Sequence, residues 1–201
     1  MTEGFGVGFV VGLIVALPAS MLSVLLVAMW RRRPLRVAIS AAAGGVTSDA
    51  ALAVVGIALG SAIASVVTDA GLRATISAGF LVGVAGRIAF GLLVGPYGVA
   101  HGAVLPTTMA GAWARFLIVA LINPTIGVAA AAVGVSRPDL AAGDAWTGLV
   151  VGFIAAGSTW RVLWAATAAG RRGVRLARTG QLGLGITAIL AIAWLVFRLA
   201  G

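Results

Sequence analysis

Long apolar stretches with almost no charged residues restrict the fold of this chain more than any other feature. Six stretches of at least 19 residues hold no charge or a single one: 4–30, 37–68, 74–95, 116–136, 145–170 and 179–197. A helix that crosses the hydrocarbon core of a bilayer needs about 20 mostly apolar residues. Barrel strands would alternate in polarity over about ten residues, and these stretches do not. The pattern therefore predicts an all-α polytopic membrane protein.

The six stretches predict six transmembrane helices in a single transmembrane domain that covers residues 1–201. We place the helices at 5–29, 38–61, 75–95, 114–135, 146–168 and 181–199. Composition supports this class, because 61% of the residues are hydrophobic and 9% are charged, whereas a soluble domain carries about 25% charged residues. The net charge of +9 does not indicate a nucleic-acid partner, since the chain has too little polar surface for a solvated basic face.

The residue types that the chain lacks exclude several kinds of chemistry. It contains no Cys, no Lys and a single His. Without Cys, disulfides, thiol exchange and thiolate metal sites are excluded, and without Lys a phosphate-binding P-loop is excluded. No nucleophile–base pair or metal-ligand cluster is visible in the sequence. We therefore expect neither an enzyme nor a bound cofactor or metal.

The arginines are divided unevenly between the two sides of the predicted bundle. One side holds nine of them: Arg31, Arg32, Arg33, Arg36, Arg115, Arg171, Arg172, Arg175 and Arg178. The other side holds three arginines and every acid outside the spans: Arg73, Arg137, Arg198, Glu3, Asp69, Asp139 and Asp144. Because short cytoplasmic loops are enriched in basic residues, we expect the nine-arginine side to face the cytoplasm and both termini to lie outside a cytoplasmic (inner) membrane. Anionic lipid headgroups are its expected partners.

Two short patterns occur in both halves of the chain. Residues 15–18 read Val-Ala-Leu-Pro and 119–124 read Val-Ala-Leu-Ile-Asn-Pro, while Gly45–Asp49 matches Gly157–Arg161 in its glycine, hydroxyl and charge positions. A repeat of three spans must be inverted in the membrane, because three is odd. Inverted repeats with interrupted helices are a recurring design of secondary transporters. The predicted three-helix repeats are 5–95 and 114–199.

Charged residues inside the predicted spans mark the candidate site. Asp49 and Arg161 sit at matching places of the two halves, on helix faces with small residues, so we expect both to face the bundle. We predict that they pair in the empty protein and that a zwitterionic solute replaces the pair, with its amino group on Asp49 and its carboxylate on Arg161; a static structural pair is the alternative. Arg87 is expected to reach the membrane interface. The candidate binding residues are Asp49, Arg161, Pro18, Ser20, Thr47, Ser48, Asn123, Pro124, Thr159 and Trp160.

The apolar run that ends at Pro18, the basic first loop, Asp49 in a glycine-rich second span and Asn123-Pro124 in the fourth span occur together. In this combination the chain resembles the LysE/RhtB family of amino-acid exporters. That family usually has Pro-Gly-Pro where this chain has Pro18-Ala19-Ser20, which indicates a divergent member. The resemblance implies six spans and gradient-driven export of basic or neutral amino acids from the cytoplasm.

The leading hypothesis is therefore a secondary exporter of a small amino acid or related solute, with Asp49 as the candidate for a coupling proton or ion. One alternative is a non-transporting membrane scaffold or accessory subunit. The other is a metal or inorganic-ion transporter of the same superfamily. Gly4, Gly8 and Gly12 form a ladder that predicts a close packing face, either within the bundle or between the protomers of a homo-oligomer.

Overall fold

The structure is a computed structural model that describes residues 1–16, 21–94, 104–168 and 173–200. All regular structure in these ranges is helical, which confirms the all-α prediction. The helices are α1 (Thr2–Ala16), α2 (Met21–Arg32), α3 (Leu35–Val66), α4 (Ala70–Val94), α5 (Met109–Leu121), α6 (Thr125–Ser136), α7 (Gly143–Ala168) and α8 (Gly173–Ala200).

The fourth predicted span contains two helices instead of one, and the first is described in two parts. Helices α1 and α2 flank residues 17–20, which lie outside the described part of the chain. Helices α5 and α6 meet at residues 122–124 with a bend of 53°. Pro124 accounts for this break, because proline has no N–H to continue the helical hydrogen bonds and its ring clashes with the preceding turn. The span predicted at 114–135 is therefore a bent pair of helices.

Apolar helices long enough to cross a membrane are present in the described part of the chain. Helices α3 and α4 each meet this requirement, and the bent pair α5–α6 is a third candidate if it counts as one span. Helix α3 has 32 residues, which makes it about 48 Å long and longer than the hydrocarbon core of a bilayer. The described residues thus include two to three helices suited to a membrane.

Helix α1 packs along α7 in the closest helix–helix contact of the described residues. The two helices run parallel, since Gly4 lies against Ala145 and Gly12 lies against Phe153. A Cβ at Gly8 would overlap the backbone carbonyl of Leu149, so glycine is what allows the helix backbones to touch. The predicted glycine packing face is therefore confirmed, and it lies within the bundle.

Helix α3 packs in the same manner along α5 and α6. Gly44 lies against the backbone of Leu117 in α5, and Gly56 lies against that of Gly127 in α6. These helices also run parallel. Helix α4 covers the other side of α6 and packs on α8. Helix α1 and the bent pair α5–α6 therefore each lie along a long helix from the other half of the chain.

Charged side chains separate to the two ends of this bundle. At one end Arg33 Nη2 donates to the carbonyl oxygen of Leu105 at 2.5 Å, close to the other arginines of the first connection. At the opposite end Arg137 Nη2 pairs with Glu3 at 2.6 Å and with Asp139 at 2.8 Å. This division agrees with the one expected from the sequence. The predicted basic segment 171–178 lies outside the residues whose side chains are described.

Candidate functional site

A buried ion pair joins the two long helices α3 and α7. Arg161 Nη2 lies 2.5 Å from Asp49 Oδ2, and the two side chains are 13% and 6% exposed, respectively. The other ion pairs among the described residues lie at the bundle end and are largely exposed. The contact between Asp49 and Arg161 that the sequence predicted is therefore present. Its role in binding stays a prediction.

Glycines on both helices make room for this pair. A Cβ at Gly45, one turn before Asp49, would lie 3.0 Å from Arg161 Nε. A Cβ at Gly157, one turn before Arg161, would lie 2.7 Å from Asp49 Oδ2. The Arg161 side chain thus lies over Gly45, and the Asp49 side chain lies over Gly157. The arrangement also shows that α3 and α7 run antiparallel where they cross.

The last described residues of α1 lie beside this crossing. Gly12 of α1 contacts Phe153 and Ala156 of the parallel helix α7. One turn further along both helices, the last residue of α1, Ala16, comes level with the turn that leads from Gly157 to Arg161. The end of α1 therefore approaches the ion pair from one side.

The break between α5 and α6 lies beside the same crossing. Gly44 of α3 contacts Leu117 of α5, and the backbone of Leu52 lies 3.4 Å from the Cβ position of Gly127 in α6. Ser48 is midway between Gly44 and Leu52 on α3, so residues 122–124 come level with it. The α5–α6 break thus lies at the depth of the ion pair.

Polar atoms without partners are concentrated at this place. Among the residues that the structure describes, Ser48 Oγ and Arg161 Nη1 are buried and have no hydrogen-bond partner. Asp49 Oδ2 meets Arg161 Nη2 at ion-pair distance but without the alignment of a hydrogen bond. A buried donor without an acceptor is costly. The site can therefore donate further hydrogen bonds to a bound molecule.

The structure does not bring every predicted residue to the pair. Thr47 and Thr159 lie on exposed faces of their helices, and Thr47 Oγ1 donates to its own helix at the carbonyl of Ala43. Both threonines are two residues before a charged residue, which places them about 200° around the helix from it. They therefore face away from the ion pair, and their role in binding stays a prediction. Pro18 and Ser20 lie outside the described residues.

The remaining predicted residues lie near the site with different exposure. Asn123 is half-buried at the α5–α6 break, where its Oδ1 accepts a hydrogen bond from Thr125 Oγ1, while Pro124 is exposed. Trp160 is half-buried beside Arg161. Sequence reasoning missed Gly45 and Gly157 as parts of the site. Their spacing in the sequence could have identified them, because each glycine precedes a charged residue by four positions.

Comparisons of this chain with protein-family models, with curated proteins and with solved structures find no match. The resemblance to an exporter family therefore stays an expectation from short sequence motifs. A function has to be argued from the chemistry of the site, since folds of one kind serve many functions.

Proposed function

We propose that this protein is a secondary exporter of a small zwitterionic solute, such as an amino acid, and that Asp49 and Arg161 bind it. One observation carries this proposal: a buried acid and a buried base face each other where α3 crosses α7, at the depth of the α5–α6 break. An amino acid carries one positive and one negative group, which complement the negative and the positive group of the pair. Its ammonium group matches the Asp49 carboxylate, and its carboxylate matches the Arg161 guanidinium.

The proposed architecture has six membrane crossings in two inverted repeats. The packing supports it, because exchange of the two halves maps the contact of α1 with α7 onto the contact of α5 with α3. The contacts of Asp49 with Gly157 and of Arg161 with Gly45 exchange in the same way. Alternate crossings also fit the helix directions. The arginine-rich end would face the cytoplasm, with both termini outside.

Charged groups inside a membrane give this proposal its energetic basis. A charged side chain at the centre of a spanning helix costs at least about 2.5–3.5 kcal/mol, so such residues usually serve a function and face a partner. A solute that supplies both opposite charges can separate the pair without leaving either charge alone. Uptake of one positive charge across 100 mV releases about 2.3 kcal/mol. We propose that Asp49 carries this coupling charge, because it is the acid within the predicted spans.

Flux through proteoliposomes tests the proposal. The full chain is reconstituted in vesicles loaded with a panel of radiolabelled amino acids, and a proton or sodium gradient is then imposed. We expect gradient-driven flux for at least one amino acid and its loss in Asp49→Asn. Asp69→Asn is the matched control, because Asp69 caps α4 at an exposed end, where its Oδ1 accepts from the Leu72 N–H at 2.6 Å. Full gradient-driven flux in Asp49→Asn would contradict the assigned role.

A second candidate function is a non-transporting membrane scaffold or accessory subunit. The observation that favours it is the direct contact of Asp49 with Arg161, which is packed against Gly45 and Gly157 and has little exposure. A purely structural pair would have this geometry permanently. The same vesicles separate the two functions, because a scaffold gives no flux above empty vesicles for any solute of the panel.

A further inference from the structure

The start of helix α6 presents unpaired backbone donors inside the bundle. Its N-cap residue is Pro124, which makes no side-chain hydrogen bond to the first turn. The hydroxyl of Thr125 is already used, since it donates to Asn123 Oδ1. Among the described residues, the N–H groups of Ile126 and Gly127 have no acceptor. The 12-residue helix also places the positive end of its dipole there.

The hydroxyl of Ser48 points to the same place. Ser48 is completely buried, and its Oγ has no hydrogen-bond partner in the described part of the chain. It lies on the face of α3 that carries Gly44 and Gly56, and this face packs on α5 and α6. Since Gly44 contacts α5 before the break and Gly56 contacts α6 after it, Ser48 faces the break itself. Ser48 therefore lies on α3 at the level of the break that precedes the free N–H groups of α6.

We infer that Ser48 Oγ and the first N–H groups of α6 form a subsite for a hydrogen-bond acceptor on the transported solute. Ser48 and Asp49 are consecutive in α3, so this subsite adjoins the ion pair. The charged head group of the solute would bind Asp49 and Arg161, and its side chain would reach the subsite. A carboxamide or carboxylate fits three donors at a helix N-terminus, whereas an ammonium or a purely apolar group does not.

This inference rests on the proposed function and narrows the class of solute that the protein would transport. The expected substrates are amino acids with a side-chain carboxamide or carboxylate. A site that is built to hydrogen-bond a substrate group rejects analogues that lack the group, because its buried donors then stay unpaired. L-Alanine has the same head group as L-asparagine and no side-chain acceptor, so this pair of solutes isolates the subsite.

Binding to the purified full-length protein tests the subsite without any need for transport. The shift in thermal unfolding temperature is measured against concentration for L-asparagine, L-aspartate, L-alanine and L-valine, since a ligand of the folded state stabilises it. The variant Ser48→Ala removes a buried hydroxyl that has no partner, so it should fold. Ser77→Ala is the matched control, because Ser77 is also buried but donates to the Ala132 carbonyl at 2.9 Å.

We expect L-asparagine or L-aspartate to bind the wild type more tightly than L-alanine, and Ser48→Ala to weaken this binding by about ten-fold. Ser77→Ala should keep the wild-type preference. Equal affinity of Ser48→Ala and wild type for L-asparagine would overturn the inference, as would equal or absent binding of L-asparagine and L-alanine to the wild type. Binding with the expected preference but without vesicle flux would refute export and leave the subsite intact. Flux without a preference for L-asparagine or L-aspartate over L-alanine would refute the subsite and leave export intact.

Discussion

The substitution Asp49→Asn removes the only ion-pair partner of Arg161 among the described residues. Arginine stays protonated at every accessible pH, so the variant holds a permanent positive charge between α3 and α7. The Arg161 side chain is 13% exposed and its Nη1 already has no partner, so solvent offers little compensation. Breaking a buried pair by removing one partner costs about 3–5 kcal/mol. We predict a loss of about 3 kcal/mol in the free energy of unfolding.

The double variant Asp49→Asn/Arg161→Gln removes both charges from the same place. Replacement of a whole buried pair is often neutral or stabilising, because the cost of burying two charges disappears with their attraction. We therefore expect the double variant to unfold within about 1 kcal/mol of the wild type. It should be more stable than Asp49→Asn, although it carries one more substitution.

Titration with a denaturing detergent measures these differences. The wild type, both single variants and the double variant are purified in mild-detergent micelles, and helix content is followed by circular dichroism as the denaturing detergent is added. The four free energies form a double-mutant cycle whose coupling term isolates the pair. The reasoning is refuted if Asp49→Asn unfolds like the wild type, or if the double variant is less stable than Asp49→Asn.

Further predictions concern helix packing and the exposed ion pairs. Gly8→Ala should destabilise the protein by about 1–3 kcal/mol, because its Cβ would overlap the carbonyl of Leu149. Gly83→Ala, where a Cβ meets nothing within 4 Å, should instead stabilise α4 by up to about 1 kcal/mol. Equal changes in the free energy of unfolding for Gly8→Ala and Gly83→Ala, measured in detergent, would contradict this packing. Hydrogen bonds from Arg137 hold the pKa of Asp139 below its ordinary range. Their stabilisation should be complete above about pH 4 and lost as the pH falls further, and Arg137→Gln should abolish that pH dependence of unfolding.

The helical class and the charged pair could be predicted from the sequence for simple physical reasons. Uncharged apolar stretches of about 20 residues have few structures available other than helices in a membrane. Asp49 and Arg161 stood out because charge is rare in such stretches and because small residues shared their helix faces. The division of charged residues between the bundle ends also followed from the order of the spans.

The surroundings of the pair depended on helix packing, which the sequence does not determine. Alanine occurs on every described helix and glycine on all of them except α2, so composition alone could not decide that α1 packs on α7. Thr47 was included because it is close in sequence to Asp49, although its helical angle directs it outwards. The unmet hydroxyl of Ser48 could not be predicted, since it depends on where the α5–α6 break lies relative to α3.

The double variant Asp49→Asn/Arg161→Gln also allows the most direct measurement of the central claim. Because we expect it to fold with nearly wild-type stability, its gradient-driven amino-acid flux in proteoliposomes reports on binding by the pair and not on folding. If the pair binds the exported solute, flux through this variant falls to the level of empty vesicles while the wild type transports. Flux at the wild-type rate in the folded double variant would contradict the claim.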